Sequence, residues 1–188
     1  MGTTQVKVSC YAIFQFHLIW AHHAYVVENS EPLISSFSPP HIRAAGGVIT
    51  EFDVPGAANG ENNSGINPVG RVTSYYLDAN FAFHGYVRAP DGTFTLFDLS
   101  GGGAGPFQGT EPLNINASGA ITGSVVDSAG VNHGFLRAVN GSTTKFDAPG
   151  AGAGSGQGTI PVYNNPSNAI SGFVIDGNGV AHGFLRLP

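Results

Sequence analysis

Three short apolar runs, spaced along the chain, are continuous rather than alternating: SYYLD at 74–78, GSVVD at 123–127 and GFVID at 172–176. A strand with one wet face alternates apolar and polar side chains, whereas a continuous run signals a strand covered on both faces. Each run ends at an aspartate and a turn. DSAG (127–130) and DGNG (176–179) put Asp first and Gly fourth, as a type I turn favours, while DANF (78–81) departs at Phe81. A second strand follows, HGYVR or HGFLR, opening at His84, His133 and His182. Asp91-Gly92 and Asn140-Gly141 then mark hairpins, expected as two-residue turns with both central residues at positive φ. Such turns would set Tyr86 opposite Phe97 and Phe135 opposite Phe146, aromatic pairs contributing roughly 0.2–1 kcal/mol each. Another family of turns, NPVG (67–70), NASG (116–119) and NPSN (165–168), precedes each apolar run, with Asn168 replacing the last Gly.

The spacing of these signals is regular. His84, His133 and His182 are 49 residues apart, as are Arg88, Arg137 and Arg186, and Asp78, Asp127 and Asp176. The Phe-Asp pairs at Phe52, Phe97 and Phe146 are spaced 45 and then 49, so length varies in the Gly-rich connection. RAAGGVITEFD (43–53) aligns with RAVNGSTTKFD (137–147), and before Arg43 the correspondence stops. The chain therefore divides into a non-repeat segment, 1–42, and a repeat domain, 43–188, with units of about 43–92, 93–141 and 142–188. The expected fold is all-β: tandem four-stranded antiparallel units in a partial β-propeller-like array, with a β-trefoil as the alternative.

The string GAITGSVVDSAGVNHGFLRAVNGSTTKFDAPGAG (119–152) resembles the HAF family of extracellular repeats of bacteria. The resemblance covers 43–188 and implies an extracellular or cell-surface location, with a propeller-like array as the expected form. It implies no activity, since the repeat and the inferred location define the family.

Composition narrows the classes of function. Only 10% of residues are charged and the net charge is −5, with seven Lys and Arg in all and scattered singly. No basic stripe exists to hold a polyphosphate backbone, which argues against nucleic acid. Twenty-eight Gly and 12 Pro fit short strands joined by tight turns. Cys10 stands alone and forms no internal disulfide. The apolar stretch at 8–27 is interrupted by Gln15, His17, His22 and His23 and lacks a small-x-small cleavage site. It reads as a shifted start of a longer repeat gene before a leader, and not as a membrane span.

Candidate chemistry recurs with the period. In a meandering unit the end of the second strand, the start of the third and the end of the fourth share one edge. Asp78, His84 and Asp98, then Asp127, His133 and Asp147, then Asp176 and His182 should therefore gather on one rim. They could hold a divalent ion or a sugar, or serve as props that every unit needs. The second reading is preferred, because a catalytic site requires one copy. Gly85, Gly134 and Gly183 imply close approach of a neighbour, and Arg88, Arg137 and Arg186 imply structural partners such as a carboxylate or a backbone carbonyl. GAGAGSGQGT (150–159) lacks the Walker lysine and reads as a flexible linker, so no cofactor is expected. The favoured function is a non-enzymatic extracellular scaffold that binds a glycan or a surface protein through one rim. The alternative is a fragment of a propeller hydrolase or lyase. Self-association through the exposed edge of the last HGFLR strand is a further expectation.

Overall fold

The computed structural model describes residues 41–43, 47–62 and 64–188, all within one compact unit, Glu31–Pro188. The apolar stretch at 8–27 lies outside the described residues. Among them there are thirteen strands and no helix, so the all-β expectation holds. Strands β1 (His41–Arg43) and β2 (Ile49–Glu51) pair antiparallel with each other. The other eleven form one mixed sheet built of successive antiparallel meanders. The first comprises β3 (Gly65–Ile66), β4 (Val72–Leu77), β5 (Phe83–Arg88) and β6 (Phe94–Phe97). The second comprises β7 (Gly109–Ile115), β8 (Ile121–Val126), β9 (Asn132–Arg137) and β10 (Thr143–Phe146). The third comprises β11 (Gly158–Asn164), β12 (Ile170–Ile175) and β13 (Ala181–Arg186).

Pairing repeats without a slip. Val72↔Arg88 in β4–β5 becomes Ile121↔Arg137 in β8–β9 and Ile170↔Arg186 in β12–β13. One parallel bridge joins each meander to the next, at Phe83–Gly109 and Asn132–Gly158. The hydrogen-bonded meanders are out of phase with the sequence units, because the hairpin β5–β6 spans residues 92 and 93. Every residue of β4 and of β8 is buried, as their continuous apolar runs require. The covering comes from neighbouring meanders: Tyr75, Leu77 and Phe83 of the first pack with Val126 of the second, and Phe135, Ile115, Ile121 and Val125 of the second pack with Val87 and Phe97 of the first.

The outer hairpins differ from the expectation by one residue. The Gly141 N–H closes a four-residue turn on the Ala138 carbonyl at 2.9 Å, and Gly141 has φ 88° while Asn140 is absent from the positive-φ residues. Neither central residue of that turn, Val139 or Asn140, has positive φ; the left-handed residue is Gly141 at its fourth position, and this extra position shifts the ladder. Phe146 therefore faces Gly134 and Phe97 faces Gly85, whereas Phe135 faces Lys145 and Tyr86 faces Leu96. The other predicted turns close as i→i+3 bonds. At their fourth positions Phe81 and Asn168 take the left-handed conformation that glycine takes in the other copies, with φ 62° and 63°.

The phenylalanine-over-glycine register explains the junctions. A Cβ on Gly134 would lie 2.9 Å from Cγ of Pro161 and 3.0 Å from Cζ of Phe146; at Gly85 the same distances fall on Pro112 and Phe97. The prolines occupy β7 and β11 beside a register shift, where a missing N–H is tolerated. A second tie crosses each junction. The Asn67 side-chain amide donates to the Asn116 carbonyl at 3.3 Å, and that of Asn116 donates to the Asn165 carbonyl at 2.7 Å. The Gly-rich connection is fastened rather than loose. Oε1 of Gln157 accepts the Gly154 N–H at 2.8 Å, its Nε2 donates to the Gly177 carbonyl, and the Thr159 hydroxyl accepts the Ala148 N–H.

Gly183 is the exception to the glycine pattern, since its nearest neighbour for a Cβ is the Gly172 carbonyl at 4.0 Å. We therefore expect Gly134→Val to destabilise by about 1–3 kcal/mol or more through overpacking, and Gly183→Val to be nearly neutral. Urea denaturation of both variants checks this; equal midpoints for the two would remove the argument for tight stacking at Gly134.

Candidate functional site

The turns after β4, β8 and β12, and the ends of β6 and β10, bring the recurring acids and histidines to one edge. Nδ1 of His84 lies 2.9 Å from Asp98, and its Nε2 lies 3.5 Å from Asp78. In the second meander His133 lies 3.0 Å from Asp147 through Nδ1 and 3.4 Å from Asp127 through Nε2. In the third, Nε2 of His182 lies 3.2 Å from Asp176. Each histidine is thus bound to carboxylates of its own meander. His84 is also stacked on Tyr76, with ring centroids 5.1 Å apart.

The first aspartate of each set has two tasks, one per oxygen. Oδ1 of Asp127 accepts the N–H groups of Ala129 and Val131, both at 2.8 Å, while Oδ2 faces His133. Asp78 caps Asn80 and Ala82 in the same way, and Asp176 caps Asn178 and Val180. Desolvation pushes the Asp127 pKa up, but the Val131 N–H, the His133 hydrogen bond and the Ala129 N–H outweigh it and hold the carboxyl below its ordinary value. The Ala82 N–H is the largest influence on Asp78 and the Val180 N–H on Asp176, and both carboxyls are likewise lowered. Both nitrogens of His84 and His133 already face acids. Among the described residues no three His, Cys, Asp or Glu side chains are grouped to hold a metal ion.

The arginines act across junctions by lying on aromatic rings, and Arg88 also donates to a backbone carbonyl, that of Ala89, at 3.3 Å. Arg137 lies over the ring of Phe97 at 4.6 Å, Arg88 over Phe52 at 4.8 Å, and Arg186 over Phe146 at 4.9 Å. Each cation therefore covers the phenylalanine that ends the preceding meander or, for Arg88, the one that directly follows β2. Such contacts contribute roughly 0.5–2 kcal/mol depending on desolvation.

Sequence reasoning noticed Phe81 only as a departure and missed Phe107. Both are exposed, at 42% and 46%, and both hold left-handed backbone, with φ 62° and 59°. The Phe107 N–H donates to the Phe81 carbonyl at 2.7 Å, and their rings lie 6.1 Å apart with Phe83 beneath Phe107. In the next meander the equivalent bond joins Gly156 to Gly130, both also at positive φ. Comparing position 107 with position 156 was the signal available in the sequence. Left-handed backbone in a bulky residue costs roughly 1–2 kcal/mol, and such strain clusters where contact with a ligand is made.

Comparison with protein-family models, curated proteins and solved structures finds no match for this chain.

The depressed aspartates set a direction of pH dependence. A carboxyl lowered in the folded state contributes stability that is fully present above its unfolded pKa and disappears as pH falls through its folded value. We expect the thermal midpoint to drop as pH falls below the ordinary carboxylate range, and Asp127→Asn to make that drop smaller while lowering the midpoint at neutral pH. Identical pH profiles for variant and wild type would separate Asp127 from acid stability.

Proposed function

We propose that the chain is a non-enzymatic binding module of the extracellular repeat kind, a partial propeller-like array that contacts a glycan at the Phe81–Phe107 end of its rim. The observation that carries this reading is the pair of exposed, left-handed phenylalanines standing where the next meander has two glycines. Nothing in the turn chemistry calls for aromatic rings there, since glycine makes the same hydrogen bond with less strain. Two adjacent apolar rings in a weakly charged surface of Gly, Ser and Gln suit the C–H faces of neutral sugars. The aspartate–histidine sets favour a structural role, because they recur in each meander and their polar atoms are occupied by one another. The HAF-like repeat signature supports an extracellular or cell-surface setting.

The test is a glycan array on the wild type and on Phe81→Gly/Phe107→Gly, beside a panel of general hydrolase and lyase substrates. We expect the double variant to lose roughly tenfold or more in glycan affinity. Its thermal midpoint should stay close to wild type, because relief of backbone strain offsets the lost ring contacts. Unchanged binding by the variant would move the contact elsewhere, and turnover of any substrate would replace the scaffold reading with an enzymatic one.

A further inference from the structure

On the opposite edge, where the turns at 67–70, 89–92, 116–119 and 138–141 gather, a cleft of about 310 Å³ opens between the first and second meanders. Its walls include Val87 and Ile121, with Thr93 and Thr95 contributed by the outer hairpin, and two cationic side chains line it, Arg71 and Arg137. Every ion pair between described residues joins a histidine to an aspartate, so neither arginine has a carboxylate partner among them. Burial lowers the Arg137 pKa from its ordinary value, as befits a cation short of solvent. Stacking on Phe97 fixes the plane of the Arg137 guanidinium, and a guanidinium held this way keeps its in-plane donors available for a planar acceptor.

The second cation is what breaks the period. Arg137 has counterparts in Arg88 and Arg186, but the positions matching Arg71 are Ala120 and Ala169. The local fold makes no demand on this side chain. The Arg71 N–H bonds to Oδ1 of Asn67 at 3.0 Å, and the Ala120 N–H makes the same bond to Asn116 at 2.9 Å. Arginine at position 71 adds an exposed charge to a place where alanine serves the turn equally well.

We infer that this cleft binds a carboxylate carried on a sugar ring, with Arg71 and Arg137 gripping the carboxylate and the Val87–Ile121 wall facing the ring. Arginine forks match planar carboxylates in bidentate geometry. The same forks also accept phosphate, so inorganic phosphate is set against the sugar acid in the test. The volume is at the small end of ligand pockets, which run from roughly 300 to 1,000 Å³, and admits a ring or two rather than a polymer chain. The choice of a sugar rests on the glycan-binding reading, whereas the choice of an anion rests on the cleft itself.

Isothermal titration of the full chain with trigalacturonic acid, its neutral methyl ester and inorganic phosphate tests the assignment. Trigalacturonate should bind, the ester roughly tenfold more weakly or worse, and added salt should weaken the acid alone. Arg71→Ala should reduce trigalacturonate affinity by roughly ten- to a hundredfold while keeping the wild-type thermal midpoint and the neutral-glycan binding of the Phe81–Phe107 rim. Trigalacturonate binding that Arg71→Ala leaves unchanged, or an ester as tight as the acid, would overturn the site. Phosphate binding as tightly as the sugar acid would overturn the assignment to a sugar. A rim that binds no glycan, beside trigalacturonate binding that depends on Arg71, would remove the earlier reading and leave this one standing.

Discussion

How closely one meander can approach the next is decided at Gly85 and Gly134, and the other recurring residues are arranged around that distance. Pro112 and Pro161 reach these glycines from the following meander, while Phe97 and Phe146 cover them from within their own. A side chain at either glycine would hold the meanders apart. The cores built of Tyr75, Leu77, Phe83 and Val126, and of Ile115, Ile121, Val125 and Phe135, would then lose contact density. The arginine of the following meander uses the same closeness: Arg137 spans the Gly85–Pro112 junction to lie on Phe97, and Arg186 spans the Gly134–Pro161 junction to lie on Phe146. The asparagine bonds at the opposite edge tie the meanders together, and the one from Asn67 satisfies the carbonyl of the buried Asn116.

Much of this was legible in the residues. The continuous apolar runs gave β4 and β8 as strands buried on both faces, and strand alternation was enough to put Asp127, His133 and Asp147 side by side. Register was not legible, because Asn140-Gly141 serves two kinds of hairpin that differ by one residue. What selects between them is whether Phe146 can lie on Gly134, a question of packing between strands. The arginine partners were hidden for a similar reason, since Phe97 and Arg137 belong to different meanders. The connection at 150–159 looks like a linker by composition, yet a single glutamine fastens it to the next turn. Composition cannot report a bond whose acceptor lies in another segment.

A regular period divides the residues into those repeated and those not, and the two groups carry different information. Repeated polar residues here are engaged with one another, as His133 is with Asp127 and Asp147. The departures are Phe81 and Phe107 against Gly130 and Gly156, and Arg71 against Ala120 and Ala169. Each replaces a residue that satisfies the local backbone with one that adds an exposed ring or charge. Folding needs explain the repeated group, so specific recognition is better sought in the second.

The asparagine tie has a direction, from side chain in one meander to carbonyl in the next, and so do the proline–glycine contact and the arginine stack. The face that a meander offers forward is therefore different from the one it offers backward, and the joint is heterologous. In genetic terms, an in-frame exchange between two copies aligned in register brings together a forward face and a backward face that already fit. It makes no difference where in the 49-residue period the crossover falls. Whole units can be gained or lost by unequal recombination without inventing a new interface, while an insertion of any other length within a strand must be absorbed by a bulge or lost.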